Sequence, residues 1–441
     1  MKKILFLLAF CSLMSCANKE QKPNVILIMA EDMGYECLSA NGATEYATPN
    51  LDRMATSGMR FTNVFSQPLC TPSRVKIMTG KHNYRNYEYF GYLNSNQKTF
   101  GNLMKQAGYK TCISGKWQLN GLSYELPGKT DPTRPKSFGF DEYCLWQLTR
   151  PRKDGERFAN PLIQKNGVEM TGLEDKYGPD IFVDFILDFI DKHKKEPFFI
   201  YYPMVLVHDP FVPTPDSPEW KNADKRYEKN NAFFKDMMAY TDKIVGKIQT
   251  KLRDNGIEEN TLLIFTADNG THPTITTATV NGPYRGGKSF TTQRGIHVPF
   301  VVNWPNGIGS SGDYDGIIDF SDFYPTFAQI AGINITKETI DGSSFLSALN
   351  GNISNNKSTT LIHYDPKWGR ASKNRNRYSM TNQYKLYQDG RFFNYLDNID
   401  ETAPLENLSN TETKTRDNLQ KILDSAEQES VWINEKEEKT K

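Results

Sequence analysis

The sequence has no excess of charge of either sign. Its 441 residues include 53 Lys and Arg against 52 Asp and Glu, which leaves a formal net charge of +1. No long basic run offsets this balance locally, so the composition argues against a nucleic-acid partner. Any anionic ligand must be bound by cations gathered in one site. The length suits one large domain with a smaller partner.

Cysteines are few, and none has the C-x-x-C spacing that is typical of zinc sites. The six are Cys11, Cys16, Cys37, Cys70, Cys112 and Cys144. Once the first two are assigned to a leader, four remain, and four do not make a disulfide framework in a chain of this length. Cys112 is expected to be a small buried apolar residue. Cys70 differs, because polar residues surround it.

The N-terminal apolar run is too short to span a bilayer as a mature helix. Residues 1–16, MKKILFLLAFCSLMSC, have the two lysines, the apolar stretch and the small residues of a signal peptide. Residues 13–16 resemble a bacterial lipobox, whose cysteine (here Cys16) is lipidated; ordinary cleavage nearby is the alternative. The polar segment that follows favours a lipid-anchored tether. Both readings predict export, to the periplasm or cell surface, with membrane contact only through the lipid.

Four apolar runs without hydrophobic alternation are followed by polar residues. They are NVILIMAED, ending on Glu31 and Asp32; TLLIFTADNG, with Asp268 and Asn269; PFFIYYPMVLVHDP, ending on His208 and Asp209; and YKTCISGKWQ, leading to Lys116. Such runs are typical of strands covered on both faces, and helical patterns lie between them. The sequence therefore predicts an α/β fold with a largely parallel sheet between helices.

The polar residues at these strand ends suggest a metal site. In open α/β sheets, ligands bind beyond the carboxyl ends of the strands, which places these side chains at one rim. Glu31, Asp32, Asp268 and Asn269 offer only oxygen atoms, a set that suits a hard cation such as Ca²⁺ better than Zn²⁺. The alternative is that the acids merely cap turns. Two such strand ends, together with a histidine and a lysine, favour the site.

Cys70 lies at the predicted start of a helix. Pro72 suits the first turn, Ser73 can satisfy open amides, and Gly80 can end the helix. A helix N-terminus favours an anion, so a thiolate nucleophile is the ordinary explanation for Cys70. However, a thiolate gains little from neighbouring carboxylates and a hard metal. The position of Cys70 needs another explanation.

The segment from Cys70 to Arg74, CTPSR, followed by Thr79 and Gly80, resembles the C-x-P-S-R signature of the type I sulfatases in the alkaline-phosphatase-like superfamily. The resemblance continues in order over residues 23–345, through PNVILIMAEDMGY, TPNLDRMATSGMRFTNVFS, GYKTCISGKWQL, PFFIYYPMVLVHDPFVP, TADNG, YRGGK, HVPFVVNWP, DFYPTFAQIAG and DGSSF. It implies a large mixed, mostly parallel sheet between helices. Residues 1–22 are then the signal peptide and tether, and 23–345 the catalytic domain.

The resemblance also implies the chemistry. In that family a maturation enzyme oxidises the signature cysteine to formylglycine, whose hydrated form has one hydroxyl to attack sulfur and a second that allows sulfate to leave. The expected activity is hydrolysis of a sulfate ester, on a carbohydrate, in the degradation of sulfated polysaccharides. The resemblance assigns one Ca²⁺ to Glu31, Asp32, Asp268, Asn269 and the modified Cys70. It assigns Arg74 to steadying the diol, and Lys116, Lys288 and His208 to the sulfate oxygens, with His208 also a candidate proton donor.

Three departures from the family pattern keep alternatives open. Glu31 stands where the family usually has Asp, and Gln118, a candidate substrate contact, stands at a histidine position. Glutamine can hydrogen-bond but cannot act as a base, so a catalytically weak, sulfated-glycan-binding relative is one alternative. A segment with Gln293, Arg294 and His297 is expected to rebuild a loop at the rim. A phosphomonoester or phosphodiester hydrolase is the other alternative, although two-metal phosphatases need further Asp and His ligands.

Residues 346–441 fit the family loosely and predict a small α+β subdomain. Antiparallel strands are expected to turn at Asp389 and Gly390, and a closing helix is expected over 415–430. One segment concentrates positive charge, in Lys367, Arg370, Lys373, Arg375 and Arg377. We hypothesise that it lines a subsite for an anionic saccharide; a solvated basic loop is the alternative. Tyr87 or Tyr89 could likewise be a sugar platform or serve packing.

Overall fold

The computed structural model describes residues 22–151, 157–336, 340–352 and 357–432. The predicted signal peptide and the predicted lipidation site at Cys16 lie outside the described residues, so both stay predictions. Within the described ranges, no helix has both the length and the apolar character needed to cross a membrane.

The described residues contain sixteen strands and eleven α-helices, besides several short 3-10 helices. The strands are β1 Asn24–Ala30, β2 Met59–Phe65, β3 Lys110–Lys116, β4 Glu142–Trp146, β5 Ile163–Lys165, β6 Val168–Glu169, β7 Phe198–Pro203, β8 Thr261–Ala267, β9 Thr276–Thr279, β10 Gly282–Arg285, β11 Phe300–Asn303, β12 Gly312–Asp319, β13 Thr360–Tyr364, β14 Asn376–Met380, β15 Tyr384–Tyr387 and β16 Phe392–Asn394. The helices are α1 Pro49–Ser57, α2 Cys70–Thr79, α3 Asn83–Asn86, α4 Phe100–Gln106, α5 Arg134–Ser137, α6 Gly178–His193, α7 Phe233–Asp254, α8 Gln293–Ile296, α9 Phe323–Ala331, α10 Leu346–Leu349 and α11 Asn410–Glu429.

A ten-stranded sheet forms the centre of the molecule, in the order β12–β2–β11–β8–β1–β7–β3–β4–β5–β6. Strands β8, β1, β7, β3 and β4 run parallel to one another, as do β12 and β2. Every residue of β1, β7 and β8 is buried, as the runs without alternation predict for strands covered on both faces. The predicted fold class, a mixed and mostly parallel sheet between helices, is confirmed.

Two strands of the large sheet run antiparallel to both of their neighbours. Strand β5 is antiparallel to both β4 and β6. Strand β11 runs antiparallel between β2 and β8, which the apolar run of its sequence could not reveal. Strand β7 ends at Pro203, five residues before His208. Beyond that point the chain follows the end of β1 through three backbone hydrogen bonds, from Met204 N to Met29 O, from Glu31 N to Leu206 O and from Val207 N to Glu31 O. His208 therefore lies on a loop rather than on the strand.

A smaller antiparallel sheet, β13–β14–β15–β16, lies in the C-terminal part of the chain. The closing helix α11 buries Leu419 and Leu423 in a cluster with Leu386 of β15. It begins earlier than predicted, because Ser409 and Glu412 form a capping box. The small α+β unit with a short antiparallel sheet is thus present as predicted. The boundaries proposed at 22/23 and 345/346 stay predictions.

The small sheet is attached to the end of the large sheet by a shared apolar cluster. Phe65 of β2, Leu69 and Ile296 belong to the same buried cluster as Ile362 and Tyr378 of the small sheet. Because Leu69 directly precedes helix α2, the C-terminal unit packs next to the residues that begin this helix. This attachment brings the C-terminal part close to the carboxyl ends of the central strands.

Candidate active site

The ends of β1 and β8 place four oxygen-bearing side chains together. The two strands are parallel neighbours, with Ala30 opposite Ala267, so Glu31 and Asp32 leave the sheet beside Asp268 and Asn269. All four residues are fully buried. The Asp32 backbone amide donates to Asp268 Oδ1 at 3.0 Å, and Asn269 Nδ2 donates to Asp32 Oδ1 at 2.9 Å. Asp32 takes a left-handed conformation, with φ 54°, an uncommon geometry that is frequent at functional sites.

Two buried cations hold Glu31 from opposite sides. Arg74 Nη2 donates to Glu31 Oε2 at 2.5 Å and lies 3.4 Å from Asp268 Oδ2. Lys116, the last residue of β3, forms an ion pair with Glu31 Oε1. The same Arg74 donates through Nη1 to the carbonyl of Lys116 at 3.1 Å. Arg74 therefore joins helix α2 to the ends of three strands of the large sheet.

A second pair, Lys288 and His208, faces Asp32. Lys288 Nζ donates to Asp32 Oδ2 at 2.6 Å and lies 3.0 Å from His208 Nε2. His208 Nδ1 lies 2.5 Å from the carbonyl oxygen of Asp209 and 3.0 Å from its carboxylate. Both neighbours are acceptors, so Nδ1 carries the proton and Nε2 accepts from Lys288. Burial and the nearby Arg157 lower the pKa of His208 to about 4.

Cys70 is the first residue of α2 and is 2% exposed. Leu69 before it is extended, and the helix ends at Gly80 in a left-handed conformation with φ 69°, as the sequence predicts. Potential ligand atoms of Cys70, Glu31, Asp32 and His208 all lie within 4.8 Å of one another. The structure thus brings the signature cysteine to the acids that follow β1.

Burial and the neighbouring charges shift the pKa values of the groups in this cluster. Burial raises the pKa of the Cys70 thiol, and the nearby Glu31 raises it further, so the thiolate is disfavoured. Burial would also raise the pKa of Glu31, but Lys116 and Arg74 hold it well below its ordinary value. Burial together with Glu31 raises the pKa of Asp268 well above its ordinary value. Among the three acids, Asp268 is therefore the one whose negative charge the neighbouring cations offset least.

The residues present fit a hard cation. Asn269 Oδ1 is buried and accepts no hydrogen bond within the described part of the chain. An orphaned carbonyl oxygen is costly unless an ion or water satisfies it. Three carboxylates beside it complete an all-oxygen set, which is the chemistry that Ca²⁺ selects. The groups that lie within 4.8 Å of one another are Glu31, Asp32, Cys70 and the His208 ring, which is 3.6 Å from Asp32 Oδ2; Asp268 is not among them.

Gln118 lies two residues beyond Lys116 and has a left-handed φ of 54°. Its Oε1 is buried without a hydrogen bond among the described residues, and its predicted contact with substrate stays a prediction. The residues of the segment that is predicted to rebuild a loop at the rim contact other parts of the protein. Gln293 is buried, Arg294 forms an ion pair with Asp400 at 2.8 Å, and His297 stacks on Tyr35 with 4.1 Å between ring centroids.

The basic C-terminal segment divides into two groups. Three members have structural partners: Lys367 donates to Tyr87 O at 3.4 Å, Arg375 lies 3.7 Å from Asp365, and Arg377 forms an ion pair with Glu427 at 2.7 Å. Arg370 and Lys373 are exposed and line a cavity together with His208 and Lys288. Tyr87 is 7% exposed and donates its hydroxyl proton to Pro366 O, which favours packing, whereas Tyr89 is 40% exposed.

Sequence reasoning missed a link between the two loops that carry the acids. Thr271 Oγ1 donates to Glu36 Oε1 at 2.5 Å and accepts from the Gly34 backbone amide at 2.9 Å. Glu36 follows the β1 acids and Thr271 follows the β8 acids, so one hydroxyl joins both loops. Burial raises the pKa of Glu36 to about 7. The polar pair could have been noticed in the sequence, but its pairing depends on contacts between distant segments.

Sequence reasoning also missed a buried lysine that attaches helix α2 to both sheets. Lys76, two residues after Arg74, is fully buried and donates to Asp319 Oδ2 at 2.7 Å and to the Leu361 carbonyl at 3.2 Å. Asp319 ends β12, and Leu361 lies on β13 of the small sheet. The cysteine-bearing helix is therefore fixed to both sheets through one ammonium group.

Comparison with known proteins agrees with this geometry. A family model described as Sulfatase matches residues 23–333, and one described as N-sulphoglucosamine sulphohydrolase, C-terminal, matches residues 286–429. The chain belongs to the sulfatase family. This sulfatase is accordingly a sulfuric ester hydrolase.

Its relatives include enzymes that act on sulfated amino sugars. The N-acetylgalactosamine-6-O-sulfatase of Bacteroides thetaiotaomicron is 30% identical, over 65% of this chain and 68% of the relative. The N-acetylgalactosamine-6-sulfatase of Mus musculus is 29% identical, over 79% of this chain and 70% of the relative. Among solved structures, Ps i-CgsB in complex with k-i-k-neocarrahexaose is 25% identical with a TM-score of 0.74, covering 95% of this sulfatase and 96% of that chain.

Proposed function

We propose that this sulfatase hydrolyses a sulfate ester on a sulfated carbohydrate, with formylglycine formed from Cys70 and one bound Ca²⁺. The observation that carries the proposal is the closeness of Cys70 to Glu31, Asp32 and His208, all within 4.8 Å. Relatives named for N-acetylgalactosamine 6-sulfate, and a structural neighbour bound to a neocarrahexaose, support a carbohydrate substrate.

Glu31, Asp32, Asp268, Asn269 and the modified residue 70 would hold the calcium ion. When bound, the ion supplies positive charge that favours an ionised hydroxyl at residue 70. Arg74 fixes the orientation of Glu31 and lies against Asp268, so it positions two of the proposed calcium ligands and is not itself a ligand. The Asp32 amide and the Asn269 side chain hold the acids in register across the two strands.

The modification would explain why a cysteine stands at this position. Burial raises the pKa of the Cys70 thiol, so the unmodified residue is a poor nucleophile. Formylglycine supplies a hydrated aldehyde, whose two hydroxyls serve attack on sulfur and release of sulfate. A maturation enzyme that reads CTPSR is therefore a required partner.

Lys116, Lys288 and His208 surround the position that a sulfate group would take. The two ammonium groups would bind sulfate oxygens, on which charge shifts in the transition state. In the structure His208 Nε2 accepts from Lys288, so the ring is neutral. Donation of a proton from His208 to the leaving alcohol therefore requires that Nε2 first be protonated.

Kinetics on the matured protein test this proposal. With nitrophenyl sulfate we expect steady turnover that depends on Ca²⁺ and exceeds turnover of nitrophenyl phosphate. Cys70→Ser, which lacks the second hydroxyl, should give at most a single burst. Preference for the phosphate ester would support the phosphatase alternative. A burst without turnover in the matured wild type would support the weak, glycan-binding alternative that Gln118 suggests.

We propose that the protein is exported and anchored by a lipid at Cys16, in the periplasm or at the cell surface. The support is the sequence pattern of residues 1–16. Metabolic labelling with a radioactive fatty acid should mark the wild type and leave Cys16→Ser unlabelled. Equal labelling of both would refute lipidation at this residue.

A further inference from the structure

A cavity of about 560 Å³ lies beside the sulfate-binding candidates and reaches the C-terminal part of the chain. His208, Lys288 and Phe290 form its catalytic side, and Trp368, Arg370 and Lys373 form the opposite side. Its volume is in the range of pockets that hold small-molecule ligands. A substrate whose sulfate reaches Lys288 would therefore extend along the segment 368–374.

This segment has a fixed shape and is tied to the loop that carries Lys288. It contains a short 3-10 helix, Gly369–Asn374, in which the Trp368 backbone amide donates to Ser372 Oγ at 3.2 Å. Asn374 Nδ2 donates to Ser289 O at 2.9 Å, next to Lys288. Ala371 is buried in the apolar cluster that contains Leu69. These contacts hold the backbone of the cavity wall in place relative to the loop that carries Lys288.

Arg370 and Lys373 are the two cations of this wall. Both are exposed, and neither forms an ion pair with any described residue, in contrast to Arg375 and Arg377 of the same segment. Asp209 is the one carboxylate among the described residues that line the cavity, and it already faces His208 at 3.0 Å and Lys288 at 4.0 Å. The cavity therefore has positive charge that its own walls do not neutralise.

Aromatic surface lies next to these charges. Trp368 is 50% exposed, and one face of its ring stacks on Phe90 with 4.6 Å between centroids and 12° between planes. Phe290, 38% exposed, also lines the cavity. A half-exposed indole held flat by a second ring is a preorganised surface for the apolar face of a sugar. Charge and aromatic surface together match a polyanionic saccharide.

We propose that Arg370 and Lys373 bind a second anionic group of the substrate, while Trp368 packs against a sugar ring. The substrate class is then a saccharide with a carboxylate or a second sulfate besides the ester that is hydrolysed. The inference rests on the proposed function, which it deepens by assigning a specificity subsite. Guanidinium and ammonium groups bind both carboxylates and sulfates, so the subsite is assigned to an anionic group of either kind.

The test compares three disaccharides built on 6-sulfated N-acetylgalactosamine: one with no other charge, one with a second sulfate, and one with a uronate carboxylate. The matured wild type should prefer the two doubly charged probes. In Arg370→Ala/Lys373→Ala, the ratio of kcat/KM between doubly and singly charged probes should fall about tenfold, chiefly through KM. The doubly charged probe whose kcat/KM falls more in this variant carries the anion that the subsite prefers. Added salt should reduce the wild-type preference.

The matched control is Lys414→Ala/Arg416→Ala, which removes one lysine and one arginine from the exposed face of α11. This control should keep the wild-type ratio. An equal fall in both double variants, or an equal loss on all three probes in Arg370→Ala/Lys373→Ala, would overturn the subsite.

Binding separates this inference from the proposed function. In a Cys70→Ala background, calorimetry should still show tighter binding of the doubly charged probes, and Arg370→Ala/Lys373→Ala should abolish the difference. A protein that does not turn over but shows this pattern would refute the proposed chemistry and keep the subsite. Equal affinities for the three probes would refute the subsite, whatever the turnover.

Discussion

Replacing Thr271 with valine tests whether one hydroxyl holds together the two loops that carry the metal-binding candidates. The change keeps the shape of the side chain and removes its hydrogen bonds. It leaves the buried Glu36 carboxyl without its 2.5 Å donor and the Gly34 amide without its 2.9 Å acceptor. An unsatisfied buried group costs about 1–3 kcal/mol, so two such groups predict a loss of about 3 kcal/mol.

The neighbouring Thr266 provides the matched control. It lies on β8 and is fully buried, and its hydroxyl has no hydrogen-bond partner among the described residues. Thr266→Val therefore removes a buried polar atom without breaking a hydrogen bond. It should lower the free energy of unfolding by at most about 0.5 kcal/mol, or raise it. Urea denaturation of both variants gives the comparison. Calcium titration by calorimetry should show weaker binding in Thr271→Val alone, since the loops that carry Asp32 and Asn269 lose one of the hydrogen-bonded links between them. Equal stability of the two variants would refute the reasoning.

Two further predictions concern buried charges. Burial raises the pKa of Glu36 from its ordinary 4.5 to about 7 in the folded state, so the folded protein binds this proton more tightly than the unfolded chain does. The free energy of unfolding should therefore fall by about 3 kcal/mol as the pH rises between these two values. Glu36→Gln should remove this loss, as unfolding free energies at pH 4 and pH 8 would show; an unchanged pH dependence would contradict the assignment. Lys76→Met should destabilise by about 3 kcal/mol, because it leaves Asp319 buried without its cation. Lys251→Met, which breaks an exposed ion pair with Asp191, should lower the free energy of unfolding by less than about 1 kcal/mol in urea denaturation. Equal losses of stability in Lys76→Met and Lys251→Met would contradict this account.

The sequence was sufficient to predict which strand ends meet. The runs before Glu31 and Asp268 are apolar without alternation, as is typical of parallel strands covered on both faces, and the carboxyl ends of parallel strands lie at one edge of the sheet. The limits of α2 were also predictable, because Pro72 and Gly80 act locally, within one or two turns. Short-range steric rules and hydrophobic pattern decide such features.

Contacts between distant segments could not be predicted in the same way. The bond between Thr271 and Glu36 spans 235 positions, and the bond between Lys76 and Asp319 spans 243. Neither pair has a periodic or local signature. The division of the basic segment had the same cause: a sequence cannot show that Arg377 is buried beside Glu427 while Arg370 faces a cavity. Tertiary packing, rather than residue type, decides which cations remain available to a ligand.

A mass spectrum of the peptide that contains residue 70, taken together with sulfate release by the same preparation, tests the central claim most directly. The account predicts that the fraction of chains carrying the aldehyde rises with co-expression of a maturation enzyme, and that the rate of sulfate release rises in proportion. Full turnover by a preparation in which residue 70 remains an unmodified thiol would contradict it.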